Sequence, residues 1–340
     1  MRIVTYHQIN RAAWSALVME SKTGTWFQSP EAYAFFASMP ELFAPFAIGA
    51  ERVNESTNER TLRAVCVGYV TREKNAIAQY FTRRAIIQGG VCCANDASDE
   101  EIEVLLSAVR DQLNSETIYI ETRNFNDYSP WKDAFAHAGF SYLPHLNFHL
   151  DCTDKEKMWE RLSERRRRQV KKALKNRVEI KNEGINELEI REFYQILSHL
   201  YRTKVKTPLF EEAFFLEAYR QRVANYLLVK YEGQVIGGMM IVTSSNCVYE
   251  WYICGLDAEY KEQYPSVMAT WIAMEYAHQH HLARFDVMGA GEPGVPYGVR
   301  DFKAEFGGEL VEQGRFLHVA KPILFTIGKI GVKMLKSLHF

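Results

Sequence analysis

The hydrophobic and polar positions of this chain fall into two alternating regimes. Short β-branched and aromatic runs are bounded by glycine or polar links, and longer stretches carry apolar side chains at helical spacing. Thr25 to Met39 opens with a turn signal at Ser29-Pro30 and continues as an aromatic-rich helix, with Pro30 in its first turn. Strand-like segments follow at Phe43 to Val53, Leu62 to Val70 and Arg83 to Cys93. Ser98 to Leu113 has acidic residues in its first turn and then a helical apolar repeat. A strand at Ile118 to Thr122, a short helix at Trp131 to His137 and a strand at His145 to Leu150 complete the first half.

The same order returns further along. Tyr226 to Tyr231, Val235 to Thr243 and Cys247 to Cys254 predict a β-meander, followed by a helix at Ser266 to His278 and a strand at Arg284 to Met288. A short helix at Arg300 to Phe306 and a strand at Phe316 to Ala320 close the set. WKDAFAHAGF (Trp131 to Phe140) is echoed by VRDFKAEFGG (Val299 to Gly308), so two copies of one mixed α/β unit are expected. The boundaries read as 1–152, 153–320 and a tail, 321–340. At the position of Lys303 the first copy has Phe135, which confines a cationic site to the second copy.

Between the copies, Thr153 to Asn176 predicts one basic helix. Thr153 and Glu156 have capping-box spacing, Met158, Leu162, Val170 and Leu174 form its apolar stripe, and Arg165, Arg168 and Lys172 lie among its cations. Such a segment is either a solvated helix or a local positive field suited to phosphates. Two further helices, Glu187 to Tyr201 and Phe210 to Val223, are split by a basic loop that exposes Lys204 and Lys206.

The densest chemistry is in Arg284 to Gly308. Its loop holds Gly289, Gly291, Pro293, Gly294, Pro296 and Gly298, and the turn after it delivers Arg300, Phe302 and Lys303. Arg300 and Lys303 are three apart on one helical face, a spacing that can grip one phosphate or carboxylate. A cleft lined by Lys206, Trp251, Tyr252, Tyr297, Arg300 and Lys303 is expected, with Trp251 and Tyr252 on opposite faces of their strand.

Composition narrows the function. A formal net charge of -1 argues against a protein that coats nucleic acid. The six cysteines show no C-x-x-C spacing and sit mostly in apolar runs, so neither a disulfide framework nor a zinc site is expected. No signal peptide or membrane-spanning run is evident, which makes the cytoplasm the default. The tail mixes Ile323, Leu324, Phe325, Ile327, Ile330, Met334 and Leu335 with Lys321, Lys329, Lys333 and Lys336. That pattern suits an amphipathic helix on an anionic membrane or one docked on the protein, and Gly328 and Gly331 leave it to order only when docked.

RRRRQVKKALKNRVEI and FDVMGAGEPGVPYGVRDFKAEFGGEL, together with the repeated unit, resemble the Fem family of peptidoglycan-bridge aminoacyltransferases, which carry two tandem GNAT-fold domains. The likeness covers about Thr25 to Ala320, and its most specific matches are Phe302, Lys303, Phe306 and Gly307 with the Arg167 to Ala173 segment. It implies a fold of two GNAT-like α/β domains joined by the basic helix. It also implies transfer of an aminoacyl or acyl group to an amine of a cell-wall precursor, with Lys303 orienting substrate. Where the family carries a precursor-contacting basic residue after its opening segment, this chain has Ala32, Tyr33, Phe35 and Phe36.

Two donors remain open. The strand-to-helix junction GLDAEYKEQYPSVMATW has no glycine after Gly255, which disfavours a CoA pyrophosphate and leaves aminoacyl-tRNA as the expected donor. No Ser/His/Asp or Cys/His constellation must be invoked, so direct attack without an acyl-enzyme is expected, with no metal or resident cofactor. The alternatives are an acyl-CoA-dependent N-acyltransferase and a non-catalytic module that binds RNA or anionic lipid through the Arg165 to Lys175 helix.

Overall fold

The computed structural model describes residues 1–73, 79 and 81–337. The end of the tail, 338–340, and the side chains of Lys333, Met334, Leu335 and Lys336 lie outside the described residues. The chain divides into two compact units, Met1–His145 with Gln313–Phe340, and Leu146–Glu312.

The first unit is built on an eight-stranded mixed sheet. Its strands are β1 (Arg2–Thr5), β2 (Phe43–Val53), β3 (Arg60–Thr71), β4 (Arg84–Gly89), β5 (Cys92–Cys93), β6 (Tyr119–Asn124) and β7 (Ser141–Leu143), with one more supplied by the chain's last segment. The helix Asp99–Leu113 covers one face with Ile102, Leu105, Leu106, Val109 and Leu113, all buried at helical spacing. Ser98 and Glu101 close a capping box at its start. Neither β1 nor the helix Arg11–Glu20 was evident from the pattern. The helix expected over Thr25 to Met39 is a 3-10 turn, Trp26–Gln28, and then a helix, Pro30–Ala37.

The second unit holds a seven-stranded sheet. In chain order its strands are β8 (Leu146–Asp151), β9 (Glu179–Lys181), β10 (Asn225–Tyr231), β11 (Gln234–Ser244), β12 (Cys247–Gly255), β13 (Arg284–Asp286) and β14 (Glu309–Glu312). The helix Pro265–Gln279 is buried along most of its length in the core formed with Met239, Ile241, Val248 and Phe285. Each such side chain removed from water contributes roughly 1.5–3 kcal/mol.

The units are divided differently from the expected boundaries. The strand at His145 to Leu150 was assigned to the first copy, yet β8 pairs with β13 and β14 in the second sheet. The strand at Phe316 to Ala320 was assigned to the second copy, yet β15 (Arg315–Val319) lies between β6 and β7 in the first. Both strands alternate in the same way, and local pattern does not encode which sheet edge accepts a strand.

The expected single basic helix is two, Lys155–Arg161 and Glu164–Lys175, interrupted at Leu162 and Ser163. Asp154, not Thr153, caps the first by accepting from the Glu156 and Lys157 amides, and Ser163 caps the second. Leu174 is exposed, and the buried positions of the second helix are Arg166, Val170 and Ala173. The tail forms a continuous helix, Pro322–Ser337, through Gly328 and Gly331. Lys321 Nζ donates to Ser115 O at 2.9 Å, and the Phe325 ring meets Tyr119 edge-on at 5.3 Å. Docking of its start on the first unit offsets the cost of its glycines.

Candidate functional site

Strands β12 and β13 run parallel only from Cys247 opposite Arg284 to Tyr249 opposite Asp286. Strand β13 then ends, while β12 continues to Gly255. The strands part at their carboxyl ends, the position where open α/β sheets take ligands.

Lys303 fills this wedge. Its Nζ donates to Val287 O at 2.7 Å and Gly289 O at 3.0 Å, and stands 2.8 Å from Glu250 Oε1. Those contacts use all three ammonium protons. Lys303 is 7% exposed and Glu250 6%, so the pair is enclosed, and the expected cation presented to a ligand is a clamp across the wedge. Burial pushes the Glu250 carboxyl above its ordinary range, with Lys303 pulling it back. Glu250 Oε2 has no hydrogen-bond partner among the described residues.

The loop after β13 is tied down from two sides. Asp286 is fully buried, and its Oδ1 accepts from the Met288 amide at 2.7 Å and from Asn147 Nδ2 at 2.8 Å. Asn147 Oδ1 accepts from the Gly289 amide at 2.8 Å, and His149 Nε2 stands 3.1 Å from Asp286 Oδ2. From the other side, the Arg300 guanidinium donates to Ala290 O at 2.7 Å, to Val295 O at 3.1 Å and to Glu292 O. Arg300 is thus committed to backbone carbonyls and does not join Lys303 in gripping an anion. Gly291 has φ of +81°, and a Cβ there would lie 2.8 Å from the Tyr297 ring, so the half-exposed Tyr297 packs close against the loop at this glycine.

A bulge overturns the expected placement of Trp251 and Tyr252. The β11–β12 register shifts between Met240 and Ile241, which pair with Tyr252 and Glu250 and leave Trp251 as the extra residue. Both rings therefore turn to one face. They stack with centroids 6.4 Å apart, and Phe214 meets Trp251 at 5.3 Å and Tyr252 at 6.4 Å. Tyr201 joins at 6.1 Å from Tyr252, at the start of a π-helical turn (Tyr201–Val205) closed by Lys206, whose amide donates to Tyr201 O. Glu250 shares the opposite face with Ile241. The residues expected in one cleft are divided between the two faces of β12.

Phe302 serves the scaffold, since its ring lies 4.3 Å below the Arg166 guanidinium. Arg166, 3% exposed, also donates to Gln169 Oε1 at 2.8 Å and locks the basic helix to the Lys303 helix. Gly307, at φ of +76°, stops that helix where a Cβ would strike Arg161 O at 2.3 Å. Arg165 pairs with Glu305 at 3.3 Å, Arg168 with Glu164 at 3.4 Å, and Lys172 with Glu262. Glu250, Asp286, Asn147 and His149 escaped the sequence reading. Their one signal was a lone polar group inside an apolar run, which when buried must find a partner.

The described cysteines are buried and free, and burial pushes the Cys152 and Cys247 thiols up to about 12, which leaves them inert as nucleophiles. Among the described residues no cluster of three or more His, Cys, Asp or Glu suits a metal ion, and no helix is long and apolar enough to cross a membrane.

Residues 160–303 match the acetyltransferase (GNAT) domain model. A search of curated proteins found no match. Among solved structures, FemX superposes with a TM-score of 0.71 at 14% identity, over 96% of this chain and 99% of that one. A tandem GNAT protein from the clavulanic acid biosynthesis pathway gives a TM-score of 0.55 at 11% identity, over 94% and 98%. L-PGS from Bacillus licheniformis gives 0.54 at 10% identity, over 96% and 97%. These findings give the chain a tandem GNAT-like fold similar to that of FemX, with the parted strands and the enclosed Lys303–Glu250 pair inside the segment that matches the acetyltransferase (GNAT) domain.

Proposed function

We propose that the second unit transfers an aminoacyl group from aminoacyl-tRNA to the amine of a cell-wall precursor by direct attack. The observation that carries this reading is the Lys303–Glu250 pair in the wedge between β12 and β13. The acceptor nitrogen attacks the ester carbonyl, the C–N bond forms as the ester C–O bond breaks, and the nitrogen's proton passes to Glu250 Oε2. The departing ribose oxygen takes a proton from solvent. Lys303 holds the Val287 to Gly289 backbone in place and keeps a positive charge beside the developing oxyanion.

An acyl-CoA donor is less well supported. The start of the Pro265–Gln279 helix would have to receive the pyrophosphate, yet Pro265 has no N–H and the Ser266 amide donates to Asp257 Oδ1 at 3.1 Å. A carboxylate already occupies the anion position. Titration calorimetry with acetyl-CoA is expected to show no saturable binding, whereas mass spectrometry of reactions with charged tRNAs and lipid-linked precursors should reveal a mass increase of one amino-acid residue on the precursor. Saturable CoA binding with acyl transfer from CoA alone would overturn the donor assignment. The cations Arg165, Arg168 and Lys172 stand in solvent, where such pairs contribute little, so tRNA phosphates can displace their carboxylates.

The tail supports a place of work at the membrane surface. Ile323, Ile327 and Ile330 repeat at helical spacing and are 78%, 51% and 50% exposed, beside Lys321 and Lys329. Each lysine near an anionic leaflet contributes on the order of 1 kcal/mol, and the isoleucine stripe adds burial in the interface. The intact chain is expected to co-sediment with phosphatidylglycerol vesicles and a chain ending at Ala320 is not. Equal binding by both would leave the tail as a packing element.

A further inference from the structure

The loop that seats Lys303 is a bulge with an uncommon residue at its turning point. Val287 N–H donates to Phe148 O at 3.3 Å and Ala290 N–H to Leu146 O at 2.7 Å, so Met288 and Gly289 together oppose Asn147 on β8. Bulges are over-represented beside active sites, where they re-aim a side chain. Met288 has φ of +53°, in the left-handed region where a Cβ crowds the following carbonyl and glycine is the usual residue.

Elsewhere the left-handed region is taken for ordinary reasons. Asn58, Glu232 and Ser245 turn hairpin loops, and Arg177, Arg222 and His281 stand just past helix ends. Met288 does neither. Its conformation is instead held from both sides: its amide donates to the buried Asp286 carboxylate, the Gly289 amide donates to Asn147, and the carbonyls of Val287 and Gly289 accept from Lys303 Nζ. A strained residue persists only where its surroundings fix it this fully, and such residues gather at ligand sites.

Glycine would take this position without strain, and Gly289 and Gly291 stand close by, so the methionine here points to a use for its side chain. Between Val287 and Gly291, Val287 and Ala290 are buried and two residues are glycine. Met288 is left as the one partly exposed side chain of the stretch. It also lies between the two carbonyls that Lys303 Nζ holds at 2.7 and 3.0 Å, so a ligand that reaches the ammonium from the loop side meets this side chain first.

We propose that Met288 packs against the side chain of the aminoacyl group being transferred and restricts it to a small apolar one. This rests on the transfer reaction proposed above, in which the amine arrives beside Glu250. Met288 stands across the Lys303 ammonium from that carboxylate, on the side left to the acyl group. A thioether offers a flexible apolar surface and no strong hydrogen bond, so a charged or strongly polar side chain placed against it would lose water without finding a partner. A larger branched side chain would compete with the methionine for space, and a bulge pinned by four hydrogen bonds does not retreat.

The test compares the natural chain with Met288→Ala and Met288→Gly in single-turnover transfer of alanyl and leucyl groups from their tRNAs to a lipid-linked precursor. Both variants remove the side chain, so the leucyl-to-alanyl rate ratio is expected to rise about ten-fold or more in each, whatever happens to the absolute rates. A purely structural role would change both rates together. An unchanged ratio, or one that rises in Met288→Gly alone, would overturn the assignment and leave the transfer reading intact. A natural chain that prefers leucyl, or transfers neither group, would overturn the selection for a small apolar group, and one inert with every charged tRNA would overturn the transfer reading as well. Urea unfolding adds a check that needs no activity: Met288→Gly should unfold at higher urea than Met288→Ala, because only glycine is at ease in left-handed backbone. The reverse order would remove the strain on which the assignment rests.

Discussion

Replacing Lys303 with Met is expected to destabilise the protein by about 3–5 kcal/mol at neutral pH, the usual penalty for leaving one partner of a buried ion pair alone. The carboxylate left behind would be Glu250, at 6% exposure, with no second cation bonded to it. Burial already raises the Glu250 pKa in the natural protein, against the pull of Lys303. A carboxyl whose folded pKa exceeds its unfolded one contributes stability that is full below the unfolded value and is lost as pH rises through the folded value. Without Lys303 that folded value climbs further and the window widens. The deficit of Lys303→Met should therefore shrink in acid, where Glu250 is protonated and neutral, and be largest at and above neutral pH. Lys303→Met/Glu250→Gln, with no charge left to bury, should regain most of the loss and show little dependence on pH. Urea unfolding at several pH values measures all three proteins. A Lys303→Met deficit that stays flat from acid to neutral pH would mean that Glu250 is not the uncompensated group.

The same residues show what the sequence could and could not disclose. Lys303 was found because glycines and prolines crowd before it and because Phe302, Lys303, Phe306 and Gly307 form a dense pattern; its position at the end of a flexible-looking loop suggested a presented charge. The chain instead turns it inward, since Val287 O and Gly289 O beyond the end of β13 need donors once the strands part. Glu250 lies in VYEWYI, where the apolar neighbours identify a strand and conceal the acid. The bulge at Trp251 is a one-residue register shift, invisible to a period-two reading, and it put both aromatic rings on one face. The longer strands and helices of both halves were legible from periodicity, whereas the short strands β1, β7, β9 and β14 and the helix Arg11–Glu20 were not. The exchange of β8 and β15 was not, because strand partners are chosen by edge geometry and by contacts far apart in sequence, such as Arg315 with Glu121.

If Glu250 accepts the proton of the attacking amine, Glu250→Gln should lower the rate of transfer by about 10²–10⁴-fold, the range that a positioned general base contributes. The substitution is nearly isosteric, and the amide oxygen can still accept from Lys303 Nζ. The fold should survive it better than Lys303→Met, which thermal unfolding of the variant would establish beforehand. The loss must also carry a signature that a packing role lacks. In the natural protein the rate should rise with pH through the Glu250 pKa, displaced upward by burial, because only the ionised carboxylate takes the proton. Glu250→Gln should lose that acid limb while keeping any limb due to the substrate amine, and Glu250→Asp, a carboxylate set back by one methylene, should keep the limb at a reduced rate. Single-turnover measurements with a charged tRNA and an amine acceptor, across pH, would separate the proteins. A Glu250→Gln protein with the natural rate and pH profile would remove the general base from the mechanism and leave the wedge as a binding feature, with the amine arriving already deprotonated.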